Sequence, residues 1–252
     1  MKSLDTLYGL RNKFIIIGLT GRLGSGCTTV ANLLTNTDFE DCGFPQPLTR
    51  NFKSNEDRKY RIVYSYLKQN WKPYTLIRAS DVITAMLIRN ELPDVKDFLL
   101  KVYFGQVSVI EEIIKEIKPQ FEELRPKVEA IFKQGDYYKF EITNDSYSVF
   151  ISEKDLAKFS NRLKESFKKL KVIHGASPYQ HFGNNIRMTG NPIDDNSANF
   201  DPSNSYVIAE IINQLIKRVR EENGKEARII IDSIRNSMEA RYFKERFSAF
   251  YL

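Results

Sequence analysis

The residues best suited to chemistry lie near the N-terminus, in Ile17-Gly18-Leu19-Thr20-Gly21-Arg22-Leu23-Gly24-Ser25-Gly26-Cys27-Thr28-Thr29. Gly21 and Gly26 are separated by four residues, and Thr28 follows Gly26 by two. Glycines at this spacing let successive backbone N–H groups turn inward around a phosphate, and the dipole of a following helix favours the same anion. A threonine at position 28 can offer its hydroxyl to a phosphate-bound Mg²⁺. The segment Gly21, Arg22, Leu23, Gly24, Ser25, Gly26, Cys27, Thr28 and Thr29 is therefore read as a cradle for a nucleoside triphosphate with Mg²⁺. The competing reading is a glycine-rich strand-to-helix turn that holds no ligand.

Cys27 occupies the position where such loops carry a lysine that reaches the β- and γ-phosphates. Losing one charged hydrogen bond costs about 1.5–3 kcal/mol of binding, which several backbone amides can withstand. Losing a group aimed at transition-state charge costs about 10²–10³ in rate, judged from oxyanion-hole deletions. Phosphate binding is thus expected to survive the cysteine and phosphoryl transfer to be weak or absent, unless an arginine takes over. Arg22 is the nearest candidate in sequence, with Arg50, Arg78, Arg187 and Arg235 behind it. A reactive thiol at a helix start is an alternative role for Cys27, and a small loop-filling residue is the plainer one.

Two further constellations carry polar groups. In Ile231-Asp232-Ser233-Ile234-Arg235-Asn236 a carboxylate closes an apolar run. There it can anchor Mg²⁺ or orient an acceptor, with Arg235 meeting phosphate. The alternative for Asp232 is an N-cap for the helix expected from Ser237. In Tyr179-Gln180-His181-Phe182-Gly183-Asn184-Asn185-Ile186-Arg187, Asn184, Asn185 and Arg187 offer hydrogen bonds suited to a base or phosphate. His181 is read as an ordinary surface or core histidine.

The elements that must position these groups alternate between helix and strand. Phe14–Ile17 and Arg228–Asp232 are short β-branched runs of the kind that form buried parallel strands. Thr28–Leu34 begins a helix, and Tyr206–Arg220 repeats its apolar residues at helical spacing. A helix over Ser237–Arg246 and a strand over Ala249–Leu252 complete an α/β alternation. Between these ends, Asn55–Leu67, Ala79–Arg89 and Val107–Ile117 read as helices, with a strand at Tyr74–Ile77 and the Glu-rich helical pattern running on towards Phe132. Tyr137–Ile142 and Tyr147–Ile151 flank a polar turn and predict a β-hairpin; Ser152–Asp155 predicts a helix start. Gly190–Ser205, rich in Asn, Asp, Pro and Ser, predicts an exposed loop or lid. The expectation is one P-loop NTPase-like α/β domain over residues 1–252, a parallel sheet flanked by helices, with a largely helical and hairpin insertion over about residues 90–170.

The 252 residues are 42% hydrophobic and 28% charged, which suits a globular chain with an ample core. A net charge of +6 arises from 38 basic and 32 acidic residues spread along the chain, so a mixed-charge surface is expected and a nucleic-acid partner is not. Cys27 and Cys42 match no zinc or disulfide framework, and the two histidines lie far from them. Met1–Lys13 is polar and does not read as a signal peptide, and no apolar run reaches the ~20 residues of a membrane span. A cytoplasmic protein, without a membrane partner and with self-association left open, is the expectation.

The Ile17–Thr29 segment with its Cys-Thr-Thr ending resembles the N-terminal P-loop domain of two-domain deoxycytidylate deaminases, whose bacterial members act in antiphage defence. Gly183-Asn184-Asn185-Ile186-Arg187 and Ile231-Asp232-Ser233-Ile234-Arg235-Asn236, followed by Glu239, carry the same resemblance. The last segment is also similar to nucleotide kinases related to dephospho-CoA kinase. The middle, from about Pro47 to Lys171, matches only loosely. The deaminase half of that family needs a His-x-Glu and a Pro-Cys-x-x-Cys segment for zinc, and this sequence contains neither. The resemblance therefore implies a P-loop half alone, holding no zinc, unable to deaminate, and serving a C-terminal or partner zinc-deaminase domain as a regulatory or sensing module. An active nucleotide or nucleoside kinase that uses arginine in place of lysine, and an interaction module with a vestigial P-loop, are the competing functions.

Overall fold

A computed structural model describes residues 13–22, 24–132, 149–150, 155–171 and 176–252. Four strands form one all-parallel sheet: β1 (Phe14–Gly18), β2 (Thr75–Arg78), β3 (Ala227–Asp232) and β4 (Phe250–Tyr251), in the order β2-β3-β1-β4. β1 pairs with β3 from Phe14↔Ala227 to Gly18↔Ile231, and β2 pairs with β3 from Thr75↔Ile229 to Arg78↔Asp232. All strand ends therefore point the same way, and the chain leaves β1, β2 and β3 along one edge. In open α/β sheets that edge is where ligands bind.

Parallel neighbours require crossovers, and helices supply them. Helix α1 (Cys27–Leu34) and α2 (Asn55–Asn70) lead from β1 to β2. Helices α3 (Ala79–Ile88), α4 (Leu92–Val102), α5 (Val107–Ile131), α6 (Asp155–Phe167), α7 (Pro178–Thr189) and α8 (Val207–Glu222) lie between β2 and β3, and α9 (Ser237–Arg246) connects β3 to β4. Helix α3 follows β2 without an intervening loop and is buried along nearly its whole length. A helix apolar all round belongs inside a core, and α5, α6, α7 and α8 pack around it. One apolar cluster runs from Ile16 through α3 to α8 and on to Phe243, so the helices of the expected insertion share their core with the sheet.

The predicted hairpin falls mainly on residues outside the described set. Of its second arm Val149 and Phe150 are described, and both are helical, with Phe150 buried in the core. This corrects the strand reading for that pair: an apolar alternation of a few residues does not distinguish a half-buried strand from one turn of a packed helix. The residues at 152–154 also lie outside the described set. The segment from Gly190 to Ser205 is exposed over residues 195–203, as its composition predicts, and is anchored at its ends. It contains two short 3₁₀ turns, buries Asn204, and is tied to α7 by Asp201 N–H to Met188 O (2.9 Å) and Asn185 Nδ2 to Pro192 O (2.9 Å). No helix of the described residues is long and apolar enough to cross a membrane.

Candidate phosphate site

The loop after β1 is held by backbone bonds before any side chain acts. Leu19 N–H donates to Ile231 O (2.9 Å) and Ile234 N–H donates to Leu19 O (3.0 Å), which lock the exits of β1 and β3 side by side. Gly18 tolerates no side chain there: an added Cβ would lie 2.7 Å from Ile234 Cδ1 and 2.8 Å from the Phe250 ring. Ser25 N–H closes a tight turn on Arg22 O (3.0 Å). Gly24 and Gly26 take φ of 82° and 85°, a region that glycine enters at no steric cost. Gly26 is the N-cap of α1 and supplies no side-chain cap, so the first-turn N–H groups of α1 have no partner from that side chain. Gly21, Arg22, Gly24, Ser25, Thr28 and Thr29 are exposed, and Cys27 is half-buried with its sulfur 3.3 Å from Ser25 Oγ. Leu23 lies outside the described residues.

The loop meets β3 through one contact. Thr28 Oγ1 donates to Asp232 Oδ2 at 3.0 Å, and Ser233 Oγ donates to Asp232 Oδ1 at 3.0 Å. Asp232 is buried. Ser233 adopts φ 72°, an unusual conformation for a residue other than glycine, and it turns the chain away from the strand just after the carboxylate. Asp232 is not the cap of α9. That role falls to Asn236, whose Oδ1 accepts from Met238 N–H at 2.8 Å. Arg235 is exposed on the same exit.

A second group of polar residues, on β2, α3 and α6, adjoins this one. Arg78 is the register partner of Asp232, and its Nη2 lies 3.4 Å from Asn32 Oδ1 on α1. Asp81 is only 2% exposed; its Oδ2 has no hydrogen-bond partner among the described residues and stands 3.8 Å from Arg78 Nη1. Burial pushes the Asp81 carboxyl above its ordinary range, against the nearby charge of Lys164. Lys164 reaches in from α6 and donates to Ser80 Oγ at 2.5 Å. Burial pulls its ammonium below the ordinary lysine range, against the charges of Asp81 and Asp232. Sequence reasoning named Arg78 but missed Ser80, Asp81 and Lys164. A carboxylate three residues past a strand end was a usable signal for Asp81. Lys164 gave none, because its partner is 84 residues away.

Asn184 and Arg187 lie on α7. Asn184 is exposed, while Arg187 points to α9: its Nε and Nη2 both stand 2.8 Å from Glu239 Oε1, in a pair that is largely buried. Burial raises the Glu239 carboxyl despite the guanidinium beside it. Gly183 makes room for this arginine, since a Cβ there would lie 3.1 Å from Arg187 Nη1.

Among the described residues no group of three or more His, Cys, Asp or Glu is placed to hold a metal. The loop and the end of β3 instead bring together one hydroxyl and one carboxylate beside exposed backbone amides. This donor set suits Mg²⁺, which takes one or two protein carboxylates and completes its shell with phosphate oxygens and water. No protein-family model, curated protein or solved structure matches the chain.

Proposed function

We propose that the chain is a nucleotide-binding domain that holds the phosphates of a Mg²⁺-nucleoside triphosphate in the loop from Gly21 to Thr29. The observation that carries this reading is the 3.0 Å bond between Thr28 and Asp232, which joins the helix start of a glycine loop to the end of the central strand. Loop amides and the α1 dipole supply attraction for anionic oxygen. Thr28 and Asp232 would hold the Mg²⁺ together with phosphate oxygens; the ion, when bound, neutralises phosphate charge. With Cys27 in place of lysine, binding outlasts phosphoryl transfer. On this reading the domain senses nucleotide for a deoxycytidylate-type zinc-deaminase domain, joined C-terminally or bound as a partner. Titration calorimetry with Mg-ATP, Mg-dATP and Mg-dCTP tests the binding. Saturable heat that Gly26→Asp abolishes is expected, and absence of heat for all three nucleotides overturns it.

A nucleotide or nucleoside kinase is the second reading, favoured by one observation: Arg78 neighbours Asp232 in register at the ends of β2 and β3. There a guanidinium can meet transferring charge. ADP release across a panel of nucleosides and nucleotides, lost in Arg78→Ala, is its expected signature.

A further inference from the structure

Resting on the nucleotide-binding reading, we propose that Lys164 supplies the phosphate-binding cation that Cys27 withholds, its ammonium closing on the terminal phosphate of the nucleotide held by the loop.

The geometry leaves Lys164 with hydrogen-bond donors that no described residue uses. An ammonium has three N–H donors, and among the described residues the only hydrogen bond of Lys164 is to the neutral Ser80 hydroxyl. No carboxylate of the described residues forms a salt bridge within 4 Å of it, and the Tyr179 ring centroid stands 5.7 Å away. Lys164 is half-buried; drawing a cation partly out of water without an anion in contact is costly, and an anion that arrives with the ligand would offset that cost. Ser80, which holds the ammonium, lies between Arg78 and Asp81, themselves 3.8 Å apart, and Arg78 is the register partner of Asp232, so these charged groups gather where β2 and β3 end. The buried Oδ2 of Asp81, without a hydrogen bond of its own, marks the same spot as built for polar company.

Topology decides which phosphate Lys164 would meet. The sheet order places β1, β3 and β2 side by side. The glycine loop leaves β1, Asp232 ends β3, and Ser80, which holds Lys164, follows Arg78 at the end of β2. A phosphate chain that starts at the loop amides and extends past Thr28 and Asp232 brings its outermost group towards Ser80 and Lys164. A P-loop lysine approaches the same phosphates from within the loop. Here the cation comes from a helix distant in sequence, which frees position 27 for a small neutral residue.

The test compares Mg-ATP with Mg-ADP on the whole chain. Wild type is expected to bind ATP more tightly than ADP, and Lys164→Met to lose about ten- to hundred-fold in ATP affinity with little change for ADP, the range of one charged hydrogen bond. Cys27→Lys, which returns the cation to the loop, is expected to restore ATP preference in the Lys164→Met background and to add little to wild type. A merely structural lysine would not be rescued in this way. An ATP-to-ADP ratio in Lys164→Met equal to that of wild type overturns the role of Lys164 and leaves nucleotide binding standing. No binding of either nucleotide by wild type overturns the underlying reading. If Lys164→Met does not fold, acetylation of wild-type lysines followed by peptide mass spectrometry decides: protection of Lys164 by Mg-ATP and not by Mg-ADP is expected, and equal protection by both, or by neither, overturns the proposal.

Discussion

Thr28 Oγ1 donates a 3.0 Å hydrogen bond to Asp232 Oδ2 across 204 residues of sequence. The bond couples the first turn of α1 to the end of β3, and its two groups are the ones proposed above to hold Mg²⁺. Removing the donor leaves the buried Asp232 carboxylate, among the described residues, with only the Ser233 hydroxyl to accept from. Thr28→Val keeps the shape and deletes the hydroxyl. It is expected to lower stability by about 1–3 kcal/mol, the cost of stranding a buried polar group, and to abolish any gain in nucleotide affinity that Mg²⁺ gives to wild type. Urea unfolding and calorimetry with and without Mg²⁺ read the two effects. A variant with wild-type stability and wild-type Mg²⁺ dependence would show that the contact serves neither purpose.

The glycine loop makes a separate prediction. Gly26 holds φ 85° with nothing within 4 Å of an added Cβ, so strain alone, not crowding, penalises a side chain there. Gly26→Ala is expected to cost about 1–2 kcal/mol, the penalty of left-handed backbone for an L-residue. Gly18→Ala meets Ile234 and Phe250 instead, and overpacking of that kind costs about 1–3 kcal/mol. Thermal unfolding ranks the two; a neutral Gly26→Ala would mean that the loop readily takes another conformation.

The cysteines provide a probe with its own control. Cys27 is half-buried at the loop, whereas Cys42 is buried and burial raises its thiol above the ordinary range. Only the thiolate is nucleophilic and Cys42 is the more buried of the two, so iodoacetamide is expected to modify Cys27 faster than Cys42. Mg-ATP is expected to slow modification of Cys27 alone. Equal rates at both cysteines, or protection of neither, would remove Cys27 from the ligand's neighbourhood.

Much of the framework was legible because it rests on local pattern. The β-branched runs at Phe14–Ile17 and Arg228–Asp232 became the central strands β1 and β3, and the Tyr74–Ile77 and Ala249–Leu252 readings fell on β2 and β4. The helix over Ser237–Arg246 has those same bounds in the structure. What escaped detection depends on contacts distant in sequence. The helical pattern read from Val107 towards Phe132 is not among these: it became α5, which runs through Pro119 and Pro126 because its stripe from Ile110 to Ile131 stays buried. Helix α4 hides behind a Pro at its first turn, where proline is well tolerated. The site divided in the same way. Its loop and its strand-end carboxylate could be read from spacing, and Asp81 from its place just past β2, but Lys164 acquires meaning only when α6 packs against α3.

Arg187 and Glu239 join α7 to α9 through a pair that is largely removed from water. Breaking a buried pair from one side leaves an uncompensated charge and costs about 3–5 kcal/mol. Glu239 sets the pH dependence. Burial raises its folded pKa above the unfolded value of 4.5, with Arg187 pulling the other way. A carboxyl shifted upwards confers stability that is complete below the unfolded pKa and is lost as pH rises through the folded one. Deleting Arg187 removes the charge that restrains the shift, so the loss in Arg187→Leu is expected to be small near pH 4.5 and to grow towards pH 8. Arg187→Leu/Glu239→Leu, which removes both charges, is expected to recover most of that loss and to flatten the pH profile, because apolar replacement of a buried pair is often neutral. Urea unfolding of the single and double variants at several pH values measures the coupling. A loss in Arg187→Leu that is the same at pH 4.5 and pH 8, and that Glu239→Leu does not relieve, would show that the arginine stabilises the protein by packing and not through the carboxylate.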